Sequence, residues 1–158
     1  MAEWLEKVEG VFHGFDPKLP WSEFPIAVID FETTGFDEHL DRVVEVGVVC
    51  FHRGLLTEKK SWLVQPGMPI PESAVNVHGI TDAMVADAPR FEQIAHELKQ
   101  ALEGHLPVAY NATFDRKFMH AEMARAGIFS GDLPPALDPK TTWIDPLVWT
   151  RELMPEAK

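Results

Sequence analysis

An aspartate and a glutamate one residue apart close an apolar run: "VIDFETTGF" carries Asp30 and Glu32 at the end of "IAVID". In an extended strand residues i and i+2 project to the same face, so the two carboxylates lie side by side while Phe31 turns to the other face. Two carboxylates held that close repel, and one takes up a proton unless a cation lies between them. A plainer reading stays open on these residues alone, in which the strand ends before Asp30 and both acids are solvated. A third acid, Asp115 in "VAYNATFDRKF", falls in the first turn of a helix that follows a short strand. The helix dipole and free N–H groups there favour an ionised carboxylate, which also accounts for an aspartate with no further role. If the three acids converge at one sheet edge, their hard oxygens suit Mg2+ or Mn2+ and not zinc.

The elements that must position them follow from apolar spacing. "IAVIDF" reads as a strand whose near-continuous apolar run predicts burial on both faces. "RVVEVGVVCFHRG" and "LLTEKKSWLVQP" read as two further strands, joined as a hairpin through Arg53-Gly54. Residues 66–89, rich in turn formers, read as a loop region with short turns. Phe91, Ile94, Ala95, Leu98, Ala101 and Leu102 recur at helical spacing up to Gly104. "LPVAY" is a short strand, and "TFDRKFMHAEMARAG" a second helix ending at Gly127. A strand around Thr142 to Ile144 and a helix from Pro146 to Leu153 complete the pattern. Three antiparallel strands followed by alternating helix and strand define an α/β domain with a mixed sheet. Ahead of it, residues 1–25 form a distinct N-terminal extension, a short helix striped by Trp4, Leu5, Val8 and Phe12 and then a Pro-rich segment that packs on the domain or on a partner. The domain proper occupies residues 26–158.

Bulk properties exclude several classes. A chain of 158 residues with 46% hydrophobic residues is enough for one domain with its own core. No apolar stretch approaches membrane-spanning length, "MAEWLEKVEG" lacks the features of a secretion signal, and a single cysteine, Cys50, fits a reducing cytoplasm. The net charge of −11 does not fit a protein that holds nucleic acid mainly by neutralising phosphates, and no basic cluster is longer than Lys59-Lys60. Either nucleic acid is not the ligand, or contact with it is local and metal ions supply the positive charge. There is no Gly-rich phosphate loop, no C-x-x-C and no G-x-S-x-G; "HELKQ" lacks the second histidine of a zinc-protease helix.

"DFETTG", "NVHGIT" and "AYNATFD", in this order, resemble the DnaQ-like (DEDDh-type) 3′–5′ exonucleases, a family that includes the proofreading subunit of the bacterial replicative polymerase and oligoribonuclease. The resemblance runs from about Ile26 to the C-terminus. It implies a ribonuclease H-like fold with a mixed five-stranded sheet flanked by helices. It also implies two Mg2+ or Mn2+ ions that activate a water and stabilise the leaving 3′ oxygen, releasing nucleoside 5′-monophosphates from single-stranded DNA or RNA 3′ ends. By this resemblance Asp30 bridges both ions, Glu32 holds the ion on the nucleophile side and Asp115 serves the second; a DNA polymerase subunit is the implied partner.

The resemblance also assigns substrate contacts. Thr33 and Gly35 stand where the family lets the chain approach the terminal nucleotide, although Gly35 is equally well accounted for as a turn glycine. Val77 and His78 resemble the segment lining the terminal base and sugar. Phe114 resembles an aromatic that packs on the terminal base, with plain helix core as the other account of it. Asn111 fixes the strand-to-helix turn, with a direct substrate role as the alternative. Tyr110 stands where many members have histidine.

The family's last motif, a histidine followed five residues later by an aspartate, is absent: no histidine lies beyond His120, and Asp145 in "TWIDPL" resembles the family's structural acid, not the lost ligand. That histidine is the general base, worth about 10²–10⁴ in rate. The expectation is therefore a piece of a longer exonuclease that lacks the C-terminal helix and is weakly active alone. The alternative is a module that binds a 3′ end or a polymerase without cutting.

Overall fold

The computed structural model describes residues 20–129, 131–154 and 156, so the helical stripe of Trp4, Leu5, Val8 and Phe12 lies outside the described residues. A 3₁₀ turn at Trp21–Glu23 leads into β1 (Ile26–Thr33). β1 pairs antiparallel with β2 (Val43–His52), and β2 with β3 (Leu55–Leu63). The two-residue connection between β2 and β3 has φ of 52° at Arg53 and 76° at Gly54, the left-handed pair that matches the twist of a tight hairpin. β4 (Leu106–Val108) joins the other edge of β1 in parallel, giving the order β3-β2-β1-β4.

The expected α/β architecture with a mixed sheet is present, but the sheet has four strands, not five. The segment expected as a fifth strand contributes a single parallel bridge between Val108 and Ile144, with Ala109 N–H donating to Ile144 O and Ile144 N–H to Pro107 O. Pro146 follows at once and starts the next helix, which leaves no room for a longer ladder. Residues 66–89 are also more ordered than a loop, forming α1 (Glu72–His78) and α2 (Asp82–Val85). At seven and four residues these helices are too short for apolar periodicity to register. The helices α3 (Phe91–Ala101), α4 (Ala112–Arg125) and α5 (Pro146–Leu153) lie where spacing put them.

Burial on β1 is one-sided, contrary to the expectation from its apolar run. Ala27, Ile29, Phe31 and Thr33 are buried, whereas Ile26, Val28 and Glu32 are half-buried and Asp30 is exposed. The main core lies on the first of these faces. There Ile29, Phe31, Val46 and Val48 of the sheet pack with Leu98 of α3 and Phe118, Met119 and Met123 of α4. Each such side chain contributes about 1.5–3 kcal/mol of apolar burial. A smaller cluster of Val44, Ile70, Ile80 and Val85 seats α1 and α2 at the end of β2. The two clusters share β2 because its register with β1 shifts between Glu32 and Thr33, so consecutive Val43 and Val44 are both buried, one in each cluster.

The start of α4 is set by Asn111, whose φ of 63° and ψ of 50° place it in the left-handed region that asparagine tolerates better than most residues. Asp145 holds that turn. Its carboxylate accepts from Asn111 N–H at 3.0 Å and Ala112 N–H at 3.1 Å, and from Leu147 N–H at 2.9 Å as the cap of α5. One side chain thus satisfies the ends of two helices, as expected of a structural acid. Replacing it should show in urea denaturation: Asp145→Ala is expected to lose about 2–4 kcal/mol, and Asp145→Asn, which keeps one acceptor oxygen, clearly less.

Candidate functional site

β1 runs on to Thr33 while its pairing with β4 stops at Val28↔Val108, so the last part of β1 has an edge with no strand beside it. α4 occupies that place. Asp115, only 3% exposed, lies on the buried face of α4, and its Oδ1 accepts from the Phe31 N–H at 3.0 Å. The carboxylate takes the part of a missing strand carbonyl, which fixes it against the residue that separates Asp30 from Glu32. The spacing of the first two acids and the helical position of the third therefore do bring the three groups to one sheet edge.

Their electrostatics differ from those of the other buried acid on α4. Glu122, two turns on, accepts from the Val43 N–H at 3.5 Å and is paired with Arg125 at 3.0 Å and Arg42 at 3.8 Å. Asp115 has no such partner among the described residues. Burial raises its pKa from 3.8 to about 7; the Phe31 N–H opposes the rise, and the charges of Asp30 and Glu32 add to it. Asp30, although its side chain reaches solvent, is partly desolvated by its surroundings, and this and then the charge of Glu45 raise its pKa. Glu32 is raised by burial, by Asp30 and by Glu45, with His78 pulling the other way. Glu45 is the residue that sequence reasoning missed. It stands directly across from Glu32 on β2, and only the pairing register reveals this, because an acid in "VVEVGVV" reads as ordinary alternation on a solvated face.

Among the described residues, no three His, Cys, Asp or Glu side chains are gathered tightly enough to hold one metal ion as they stand. The acids form a loose, like-charged set. Their donor chemistry, carboxylate oxygens that form no ion pair among the described residues, fits a hard divalent ion and fits no softer one.

The other expected site residues fall into two groups. Val77 is 79% exposed, and Phe114 packs on Phe118 at 4.9 Å and meets edge-on, at 6.3 Å, the ring of Phe36, an 88% exposed residue that the sequence analysis does not single out. These rings and methyl groups present apolar surface, and Phe114 serves both the core and the surface. His78 and Thr33 spend their side-chain polar groups on the framework, Gly35 its carbonyl and Asn111 its backbone N–H. His78 Nδ1 accepts from Ile80 N–H at 3.0 Å, so Nε2 carries the proton and donates to Thr33 O at 3.2 Å. The Thr33 hydroxyl donates to Gly35 O at 2.6 Å, and the Thr33 side chain is buried. Asn111 forms the left-handed turn ahead of α4, and Tyr110 beside it is 61% exposed. Gly35 is not needed for a positive φ; a Cβ there would lie 2.3 Å from Asp41 Oδ2. Asp41 ties the loop after β1 together by accepting from the Asp37 N–H and the Thr34 hydroxyl, and the requirement at Gly35 is room for that carboxylate.

The sequence model of the family described as "Exonuclease" matches residues 27–154. The chain is 37% identical over 95 residues to the DNA polymerase III subunit epsilon of Treponema pallidum, covering 60% of this chain and 44% of that protein. It is 31% identical over 153 residues to the PolC-type DNA polymerase III of Streptococcus sanguinis, covering 97% of this chain and 10% of that one. The chain spans less than half the length of both curated relatives. Its fold matches the solved structure of exonuclease X in complex with 5′ overhanging duplex DNA, with a TM-score of 0.60, 32% identity and coverage of 84% of this chain and 66% of that one.

Asp115 titrates with a raised folded-state pKa, so the folded chain binds more protons than the unfolded one between pH about 4 and 7 and loses stability as pH rises through that window. Asp115→Asn keeps an oxygen for the Phe31 N–H and removes the charge. In chelator, its stability relative to the parent is expected to be near zero at pH 4.5 and to grow to a few kcal/mol by pH 8. Asp115→Ala leaves the Phe31 N–H unsatisfied and is expected to be about 1–3 kcal/mol less stable than the Asn variant. A pH-independent difference between parent and Asp115→Asn in denaturant titrations would refute the raised pKa.

Proposed function

This chain belongs to the exonuclease family and has its ribonuclease H-like fold, and on that premise we propose that it is a metal-dependent 3′–5′ exonuclease acting on single-stranded DNA or RNA 3′ ends. The observation that carries the reading is the buried, uncompensated carboxylate of Asp115 held by the Phe31 N–H between Asp30 and Glu32. Asp30, Glu32 and Asp115 would hold the cations. Two bound Mg2+ or Mn2+ ions would supply charge neutralisation at the scissile phosphate and activation of the attacking water.

The chain's own residues do the rest. Asp30 and Glu32 project from one face of β1, where they would hold the cations that face the phosphate end. Phe114, backed by Phe118, and the exposed Val77 offer apolar contact to the terminal base and sugar without reading sequence. Thr33 and Gly35 contribute through backbone, because the Thr33 hydroxyl is already donated and Gly35 has no side chain. Asn111 acts on the substrate indirectly, by fixing the turn that aims Asp115. His78 lies near Glu32 but has both ring nitrogens engaged, so it positions the end of β1 and does not accept the proton of the attacking water.

That last observation favours a second reading for this stretch of chain, a module that binds a metal and a 3′ end while cutting slowly. The names of the curated relatives support a polymerase as the partner of either activity and proofreading as its setting. A 5′-labelled single-stranded oligonucleotide with Mn2+ tests both readings. The exonuclease reading expects a ladder shortened from the 3′ end with the parent chain and none with Asp30→Ala. No ladder, with Mn2+ bound by the parent and not by the variant, selects the binding module. Equal ladders from both proteins would overturn the assignment of the acids.

A further inference from the structure

We propose that Glu45 is a positioning residue of the cation site, setting its affinity for a divalent ion from across the strand pair; the inference rests on the assignment of Asp30 and Glu32 made above. Glu45 is the register partner of Glu32, so the two side chains share a face, where directly opposed Cβ atoms stand about 4.5–5.5 Å apart. The register partner of Asp30 is Gly47, and a Cβ there would approach nothing closer than Asp30 O at 3.8 Å. The position diagonal to Glu45 is therefore open, and no side chain separates its carboxylate from that of Asp30. The Ser61 hydroxyl on β3 donates to Glu45 Oε1 at 2.9 Å, which holds one oxygen and leaves Oε2 for the acid face.

Sheet energetics alone give no reason for this residue. Like charges directly opposed across two strands are destabilising, and glutamate is a poor strand former. Some acids elsewhere have basic partners, Glu122 with two arginines, Glu58 and Glu97 with Lys60 and Glu23 with Arg53, while Asp41 and Asp145 are held by N–H and hydroxyl donors instead. Among the described residues Glu45, Glu32 and Asp30 form no ion pair. A divalent cation on this face accounts for all three, with Glu45 acting from outside the set that binds it directly, as an oriented outer carboxylate does.

The test is a calorimetric Mn2+ titration of the whole chain, with thermal unfolding in chelator alongside. Glu45→Gln keeps the shape and the Ser61 bond and is expected to weaken Mn2+ binding about tenfold while raising the metal-free Tm. Ser61→Ala should weaken binding less, and Glu97→Gln, an acid on α3 paired with Lys60, should leave it unchanged. A purely structural role for Glu45 would lower the metal-free Tm and leave Mn2+ affinity intact, which overturns the proposal. So does an equal loss in Glu97→Gln, which would reduce the effect to general charge. If Asp30→Ala also leaves Mn2+ binding intact, it is the assignment of the site that fails. If Asp30→Ala abolishes binding and Glu45→Gln does not change it, only the role of Glu45 fails.

Discussion

The hydrogen bond from the Phe31 N–H to Asp115 settles a problem that the sheet creates for itself. β4 is three residues long and β1 is eight, so β1 passes beyond its parallel neighbour with backbone donors facing a vacant edge. An unsatisfied buried N–H costs about 1–3 kcal/mol, and no further strand comes to meet it. α4 meets it with a side chain. The same helix does so again two turns later, where Glu122 accepts from the Val43 N–H. The two acids do the same structural work under opposite electrostatic conditions, because Glu122 has two arginines and Asp115 has two further carboxylates. A sheet edge needs an acceptor in that place; it does not need an uncompensated charge there.

The precision of that contact depends on both ends of α4 being held. At its start, Asp145 fixes the left-handed turn at Asn111. At its end, Arg125 pairs with Glu122 and donates to the carbonyls of Glu38 and His39, so the loop that follows β1 is tied to the helix that faces β1. Between these points Arg116 and His120 hold the backbone of residues 136–139 through Pro139 O and Ala136 O. The loop, the helix and the strand end are thus one mechanical unit, and sliding α4 by even part of a turn would break the Phe31 bond. What this fixes is the place of Asp115 against β1; the other two acids are set by the strand itself.

How much of this was legible follows from the range of each interaction. The sequence predicted β1, β2, β3, α3, α4 and α5 because each carries enough residues for its periodicity to accumulate. Asp30 and Glu32 were legible as a pair because the strand period is local, whereas Asp145 was legible only through the resemblance, its caps on two helices showing in the fold. Glu45 was not, since nothing in its own strand distinguishes it and its meaning comes from Glu32 across the ladder. The reason for Gly35 was hidden for the same cause: the group it makes room for, Asp41, lies across a loop. α1 and α2 were missed because helices of one or two turns carry no period. The fifth strand was overread because Thr142 to Ile144 has strand-like residues but only one bridge's worth of chain before Pro146.

The like-charged face ties stability to ligand in one direction. Desolvation raises all three carboxylates, with Glu45 adding to the rise at Asp30, Asp30 and Glu45 at Glu32, and Asp30 and Glu32 at Asp115, so the folded, ionised state is increasingly disfavoured as pH rises. A cation that binds the folded chain and not the unfolded one returns that free energy through its own binding, by RT ln(1 + [L]/Kd). The repulsion is therefore not simply a defect that the core at Phe118 and Leu98 tolerates. For a cation bound there it would be stored affinity, since each carboxylate that is hard to ionise in the empty fold is one whose ionisation a cation would reinforce. A net charge of −11 gives a polyanion no general attraction to this chain, and cations held by these acids would be a local means of reversing that sign.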